Sequence, residues 1–420
     1  MTLQTTTLPS GLRIITDTVR EVDSVAVGVW ADVGTRHEDL AHNGVAHMVE
    51  HMMFNGTPTR TSQQIVEEIE SVGGQMNAYT GREVTAYYVH LLKEDLPRAM
   101  DVISDIVQNP LFPDKELEKE RGVILQEIGM TNDTPDDIVF DYYQETAYPG
   151  QALGAPILGR ANIIKNMKKE TLFDYVKRFY TPEKLVVSAA GNVSHDEMVQ
   201  RSKDLFGNLP ENSHQGYEPA EYKGGDSRRE KDLEQAHIVL GFRGVKRSDP
   251  DYYAAVLLAT ILGGGMSSRL FQEVREKRGL VYSVYGSHSA YHDDGQFEIY
   301  AGTGPEKLPE IIPVLCDEVI KIMQDPAGQD ELERAKAQVR ASLLMSRESM
   351  MSRSNRQAKY LMSFGTTPDT HKLVELINDI TTARIQSLAQ RIFTGAPTLS
   401  ALGPLKKLST YDTISKKIAA

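Results

Sequence analysis

The sequence is poor in cysteine. Cys316 is the single one in 420 residues, so no disulfide can close within the chain and a reducing compartment is the simpler expectation. Positive charge is also short, with 46 Lys and Arg against 58 Asp and Glu and a formal net charge of −12. Bulk electrostatics therefore do not draw nucleic acid, and no basic groove is visible, so no nucleic-acid partner is expected. No apolar run approaches the roughly 18 residues that a membrane span requires. The segment Met1-Thr2-Leu3-Gln4-Thr5-Thr6-Thr7 has no basic stretch leading into an apolar core, so no signal peptide is expected. It also lacks the Arg-rich amphipathic character of an import presequence.

What is present has a globular balance, 40% hydrophobic and 25% charged residues, and the length implies two or three domains at roughly 150 residues each. Three local resemblances point to duplication. Val27-Gly28-Val29 is echoed by Leu240-Gly241-Phe242, Leu96-Pro97 by Leu308-Pro309, and Leu117-Glu118-Lys119-Glu120 by Leu332-Glu333-Arg334-Ala335. All three lie about 213 residues apart, the signature of one unit written twice. Residues 210–231 are rich in Pro, Gly, Asn, Ser and charge and read as a linker. The expectation is two α+β domains, at 1–209 and 232–420, each an antiparallel sheet packed with several helices. Residues 75–79 and 84–92 alternate apolar and polar with only a short turn between them, which reads as a hairpin.

The strongest local signal is His47-Met48-Val49-Glu50-His51, within a helix-like stretch at 44–54. His47 and His51 are four apart and project from one helix face, so their imidazoles can meet one metal ion. Glu50 falls beside them as a base. This H-x-x-E-H order is a zinc-protease signature, the inverse of H-E-x-x-H. The plain alternative is a solvated helix with two histidines and a carboxylate. Catalytic zinc wants three protein ligands and one open position. A helix from 114 to about 130 carries Glu120 and Glu127, two turns apart on one face. Glu127 sits in the apolar run Val123-Ile124-Leu125-Gln126-Glu127-Ile128, where a carboxylate is costly without a partner that a metal would supply. Glu116 and Glu118 read as an exposed face.

Gly44-Val45-Ala46-His47-Met48-Val49-Glu50-His51-Met52-Met53-Phe54-Asn55-Gly56-Thr57 resembles the signature of the pitrilysin-type metallopeptidases. Arg121-Gly122-Val123-Ile124-Leu125-Gln126-Glu127-Ile128 resembles the catalytic subunit of the mitochondrial processing peptidase and its bacterial relatives. The resemblance spans nearly the whole chain. It implies that His47, His51 and Glu127 hold Zn2+, that Glu50 is the general base and that Glu120 is a supporting glutamate. It also implies that Asn77, Ala78 and Tyr79 lie on an edge strand that pairs with peptide substrates. Asp137 and Asp141 correspond to acidic residues that hold a substrate arginine in the processing peptidases. The first is Asp where the family has Glu, which shortens its reach, and a solvated helix face is the alternative reading.

In the second half, Thr260, Gly263 and Gly264 stand where His47, Glu50 and His51 stand in the first, and Ser342 stands where Glu127 does. One zinc ion per chain is therefore expected. Arg275-Glu276-Lys277-Arg278-Gly279-Leu280-Val281-Tyr282 resembles the family motif whose arginine and tyrosine complete the active site, and Gly263-Gly264-Gly265-Met266 a shortened form of its glycine-rich loop. Because zinc residues and glycine loop share one chain, the resemblance implies a homodimer, each site borrowing Arg275 and Tyr282 from the other chain across a closing chamber. The expected function is a zinc-dependent endopeptidase acting on unfolded peptides or presequence-like segments. Two alternatives stay open: a non-catalytic core-protein-like subunit, and a catalytic subunit that needs a separate partner. The bacterial cytoplasm is the expected compartment, ahead of periplasm and mitochondrial matrix.

Overall fold

The computed structural model describes residues 2–210 and 216–419. The chain opens with β1 (Thr2–Thr7), β2 (Arg13–Thr18) and β3 (Ser24–Ala31), then α1 (Val45–Met52), α2 (Ser62–Glu70), β4 (Gln75–Thr80) and β5 (Thr85–Leu92). Helices α3 (Leu96–Gln108), α4 (Asp114–Asn132), α5 (Pro135–Ala147), α6 (Ala161–Asn166) and α7 (Lys169–Phe179) follow, and β6 (Leu185–Gly191) and α8 (His195–Leu205) close the first half. The second half runs β7 (Gly225–Glu230), β8 (Ala236–Arg243), α9 (Tyr252–Gly263), β9 (Ser283–Ala290) and β10 (Gly295–Thr303). It ends with α10 (Leu308–Gln324), α11 (Gln329–Met345), α12 (Met350–Phe364), α13 (Thr370–Asn378), α14 (Thr382–Phe393), β11 (Thr398–Gly403) and α15 (Tyr411–Ala419).

The duplication is visible in the sheets. One has the order β1-β2-β6-β3-β5-β4, the other β7-β11-β8-β10-β9. Remove β1 and the two orders superimpose strand for strand. Each sheet is antiparallel except for one parallel pair, β2 with β6 and β7 with β11. These parallel pairs depart from the all-antiparallel expectation, and they sit at the same place in both copies. Strand β7 also falls inside the stretch 210–231 read as a linker. Its charged, glycine-bearing sequence hid it, because as an edge strand it needs no apolar face. Residues 211–215 of that expected linker lie outside the described residues.

Cores form where periodicity demands. In β3, Val25, Val27, Val29 and Ala31 face one core while Ala26 and Trp30 face the other side of the sheet. Helix α3 buries Leu96, Ala99, Met100, Val102, Ile103, Ile106 and Val107, the spacing of one helix face against that first core. Each such Leu or Ile contributes about 1.5–3 kcal/mol of burial. No helix among the described residues is long and apolar enough to cross a membrane.

Compact units do not follow one cut in the chain. The first comprises residues up to 129, 155–218 and 344–368, and the second 130–154, 219–343 and the rest. The two domains expected at 1–209 and 232–420 thus exchange one equivalent helix each. Helix α5 covers the outer face of the second sheet, where Ile138, Val139 and Tyr143 cluster with Val239, Tyr300 and Leu402. Ser400 Oγ donates to Val139 O at 3.0 Å. Helix α12 covers the outer face of the first sheet, with Ala358 and Leu361 against Ile15, Trp30 and Val186. Gln357 Nε2 donates to Ala189 O at 2.8 Å.

Asn355 on α12 has a particular load. Its Oδ1 accepts from Trp30 Nε1 at 3.0 Å and from Tyr79 OH at 2.7 Å, so one oxygen ties the buried indole and the edge strand β4 to the same helix. Asn355→Ala leaves both donors without this acceptor. The thermal midpoint should drop by at least about 2 °C, since an unmatched buried donor costs about 1–3 kcal/mol. An unchanged midpoint in differential scanning calorimetry would mean the oxygen is dispensable.

Candidate metal centre and active site

Helix α1 is eight residues long and must serve two masters. Met48, Val49 and Met52 are fully buried in the first core, and this apolar stripe fixes the rotation of the helix. The fixed rotation turns His47, Glu50 and His51 to the opposite side. Helix α4 buries Leu117 and Ile124, which sets Glu120 and Glu127 on an adjoining face.

These two helices bring together the expected ligands. Glu127 Oε2 lies 3.8 Å from His47 Nε2 and 3.7 Å from His51 Nε2. One ligand atom from each of the three residues falls within 4.8 Å of the others. Among the described residues this is the one such cluster of three. The imidazole centroids are 4.6 Å apart. These separations are too long for hydrogen bonds, yet they suit atoms that each stand about 2 Å from a shared ion. Glu127 Oε2, His47 Nδ1 and Glu50 Oε2 are buried without hydrogen-bond partners. Two imidazole nitrogens and one carboxylate oxygen are the donor set that zinc takes in hydrolytic sites, so the residues fit that metal.

Electrostatics point the same way. Burial, reinforced by His51, pushes the His47 imidazole down to about 4, which keeps it neutral and able to donate a lone pair. Burial also works against protonated His51. Its hydrogen bond with Glu120 and the charges of Glu127, Glu120 and Glu50 outweigh that and hold it above the ordinary range. His51 Nδ1 and Glu120 Oε2 are 3.0 Å apart, and this bond fixes which nitrogen faces Glu127. Burial raises the Glu50 carboxyl, opposed by the Thr80 hydroxyl and by His51. A carboxylate with an elevated proton affinity is suited to general-base work near neutral pH.

Beside Glu50 opens a hollow of about 490 Å³ lined by His51, Phe54, Ile69, Met76 and Asn77 among others. Its wall is β4, which among the described residues pairs only with β5 and forms the edge of its sheet. The sequence-derived Asn77, Ala78 and Tyr79 therefore lie on an edge strand. Ala78 N–H donates to the Asn77 side chain at 2.8 Å.

The remaining expected residues belong to the second compact unit. Asp137 lines a separate hollow of about 600 Å³ with Phe140, Tyr285 and Tyr300. Asp136, which the sequence reading passed over, lines it too. Nothing marked it, because acidic residues in a first helical turn are ordinary. Asp141 is on the same helix, α5, but does not line this hollow. Arg275 sits on a short π-helical turn, Phe271–Glu276, with its guanidinium 5.9 Å from the centre of the Tyr282 ring. Tyr282 is 75% exposed. Gly263 is explained by packing, since a Cβ there would stand 2.0 Å from Gly286 N on β9.

Metal binding at His47, His51 and Glu127 must displace the proton that His51 holds above its ordinary range. Affinity for Zn2+ should therefore keep rising with pH beyond the ordinary imidazole range and flatten once the metal-free His51 is neutral. Titration calorimetry in buffers of different ionisation enthalpy would register the released proton, and a pH-independent affinity would contradict this. Glu120→Ala should weaken Zn2+ binding by about 10–100-fold.

Comparison with known proteins finds relatives over nearly the whole length of the chain. The family model described as insulinase (peptidase family M16) matches residues 13–161, and the model described as peptidase M16 inactive domain matches residues 166–339. A Rickettsia bellii protein named "uncharacterized zinc protease" is 42% identical over 398 residues, covering 94% of this chain and 96% of its own. A Bacillus subtilis protein with the same description is 37% identical over 399 residues, covering 95% and 97%. Among solved structures, a protease from Helicobacter pylori has a TM-score of 0.89 at 21% identity, covering 96% of this chain and 99% of that one. A peptidase M16 inactive domain from Pseudomonas fluorescens reaches 0.91 at 20%, covering 98% and 100%; at such identities these two speak to the fold. With the donor set, the duplicated sheets and full-length relatives above 30% identity, the chain belongs to the insulinase-type peptidase family M16.

Proposed function

We propose that the protein is a zinc-dependent endopeptidase acting on unfolded peptides and presequence-like segments, with one zinc ion per chain. The observation that carries this reading is the convergence of His47, His51 and Glu127 beside Glu50, whose buried Oε2 has no hydrogen-bond partner. His47, His51 and Glu127 would hold the ion. Zinc in such a donor set supplies a Lewis acid for the scissile carbonyl and makes water a stronger acid. Glu50 takes a proton from the attacking water as the new C–O bond forms, and then gives it to the amine nitrogen as the peptide C–N bond breaks. Glu120 keeps His51 oriented through Nδ1.

Substrate main chain would add to the β4 edge at Asn77, Ala78 and Tyr79, gaining hydrogen bonds that do not depend on substrate sequence. One substrate side chain would enter the hollow beside Glu50. Asp137 and Asp141 would attract a cationic side chain. Arg275 would hold substrate backbone, and the Tyr282 hydroxyl would donate to the developing oxyanion. In this reading the protein is a homodimer around a chamber, each site completed by Arg275 and Tyr282 of the other chain.

Glu50→Gln should retain zinc and lose about 10²–10⁴-fold in kcat on an extended peptide. Mixing Glu50→Gln with Tyr282→Phe should restore part of the activity, because one mixed site would carry an intact Glu50 and an intact Tyr282. Restoration is read by peptide cleavage after subunit exchange, and its absence argues against shared sites. Zinc-loaded wild type that cuts nothing would favour a subunit that requires a partner chain, or a non-catalytic one.

A further inference from the structure

The N-terminus of α1 is capped from a distance. Its first residue follows Gly44, which has φ +95° and no side chain to offer. Nor could another residue serve, because a Cβ at 44 would stand 2.7 Å from both Gly159 Cα and Ile164 Cδ1. The first amides of a helix still need acceptors. Glu38 provides them. Its Oε2 accepts from Gly44 N–H at 2.9 Å and its Oε1 from Ala46 N–H at 2.8 Å. Oε2 also accepts from Asn43 Nδ2 at 2.9 Å, and the same Asn43 nitrogen donates to Pro156 O at 3.0 Å. Glu38 is only 8% exposed, so this carboxylate has traded its hydration for three hydrogen bonds and the positive end of the helix.

The segment that carries Glu38 is bound to the substrate-side hairpin as well. Thr35 N–H donates to Gly81 O at 3.1 Å and Arg36 N–H to Arg82 O at 2.8 Å. Arg36 Nη1 bonds Glu83 Oε1 at 2.7 Å. Gly34 allows this approach, since a Cβ there would meet Gly81 O at 2.2 Å. Residues 81–84 form the turn between β4 and β5. A single short segment, 34–38, thus grips the turn that ends β4 at one side and the start of α1 at the other.

We propose that Glu38 is a positioning residue: its carboxylate fixes the N-terminus of α1 against the β4–β5 turn and so sets His47, Glu50 and His51 relative to the edge strand. The inference rests on the reading of the site as a zinc peptidase. A cap that served stability alone would lower the melting temperature and do nothing else. A positioning cap changes the metal site and the chemical step beyond what lost stability explains, because small displacements of catalytic groups are costly.

The test compares full-length wild type, Glu38→Gln and Glu38→Asp with a control in the α3 core, Ile106→Val or Ile106→Ala, whichever matches the melting temperature of Glu38→Gln. The Zn2+ dissociation constant is measured by competition with a chelator of known affinity. Values of kcat and KM are measured on one extended peptide. Glu38→Gln should raise the Zn2+ dissociation constant at least about tenfold and lower kcat by about 10–100-fold, with KM within about twofold. The matched control should move none of these, and Glu38→Asp, which keeps a carboxyl group, should recover part of both losses. If Glu38→Gln does not fold, Glu38→Asp against its own matched control carries the comparison. A Glu38 variant that behaves as its control overturns the inference and leaves a stabilising cap. Wild type that fails to bind Zn2+ sinks the peptidase reading itself, before any variant is compared.

Discussion

Everything at the candidate site depends on the rotation of one short helix. Eight residues of α1 must bury Met48, Val49 and Met52 while presenting His47, Glu50 and His51 on another side. Because helical geometry ties these positions at fixed angles, the core cannot repack α1 without swinging the imidazoles. The apolar stripe therefore does chemical as well as structural service. Glu127 adds the third candidate ligand from α4, a separate element, so the geometry of the site is as good as the packing of α1 and α4 on their shared core.

The duplicated framework shows what happens when that constraint is released. Helix α9 has the place of α1 in the second unit, with Thr260, Gly263 and Gly264 at the corresponding positions. Gly263 lies so close to Gly286 on β9 that no side chain fits between them. Helix and edge strand have closed on each other where the first unit keeps room for a glutamate and a hollow beside it. The second copy has exchanged a pocket for a packed contact. Glycines there record close approach, which is a steric fact independent of any ligand.

Legibility in the sequence followed the range of the interaction. The α1 motif, the paired glutamates of α4 and the hairpin of β4 and β5 depend on spacing within one element, and periodicity displays such spacing. The repeat was readable for the same reason. By contrast, the exchange of α5 and α12 rests on Tyr143 against the second sheet and Asn355 against the first, contacts between segments far apart in the chain. Strand β7 carries charge on an edge and gives no apolar alternation to detect. Glu38 reads as one more acidic residue in a polar loop; only the left-handed turn at Gly44, which removes any local cap, makes it necessary.

Charge balance closes the account of the site. Glu50, Glu120 and Glu127 gather around two imidazoles in a half-buried setting, and three carboxylates there repel unless something offsets them. Without metal, these charges favour a proton on His51 and hold its affinity for protons above the ordinary range. A folded-state pKa raised in this way gives stability that is full below the unfolded value and is lost as pH rises through the folded one. A divalent cation held by His47, His51 and Glu127 would take over where the proton leaves, supplying two charges in place of one. The acidic surroundings that burden the metal-free site at higher pH are thus the same feature that would favour a cation there, and the two demands meet on the orientation that Glu120 imposes on His51.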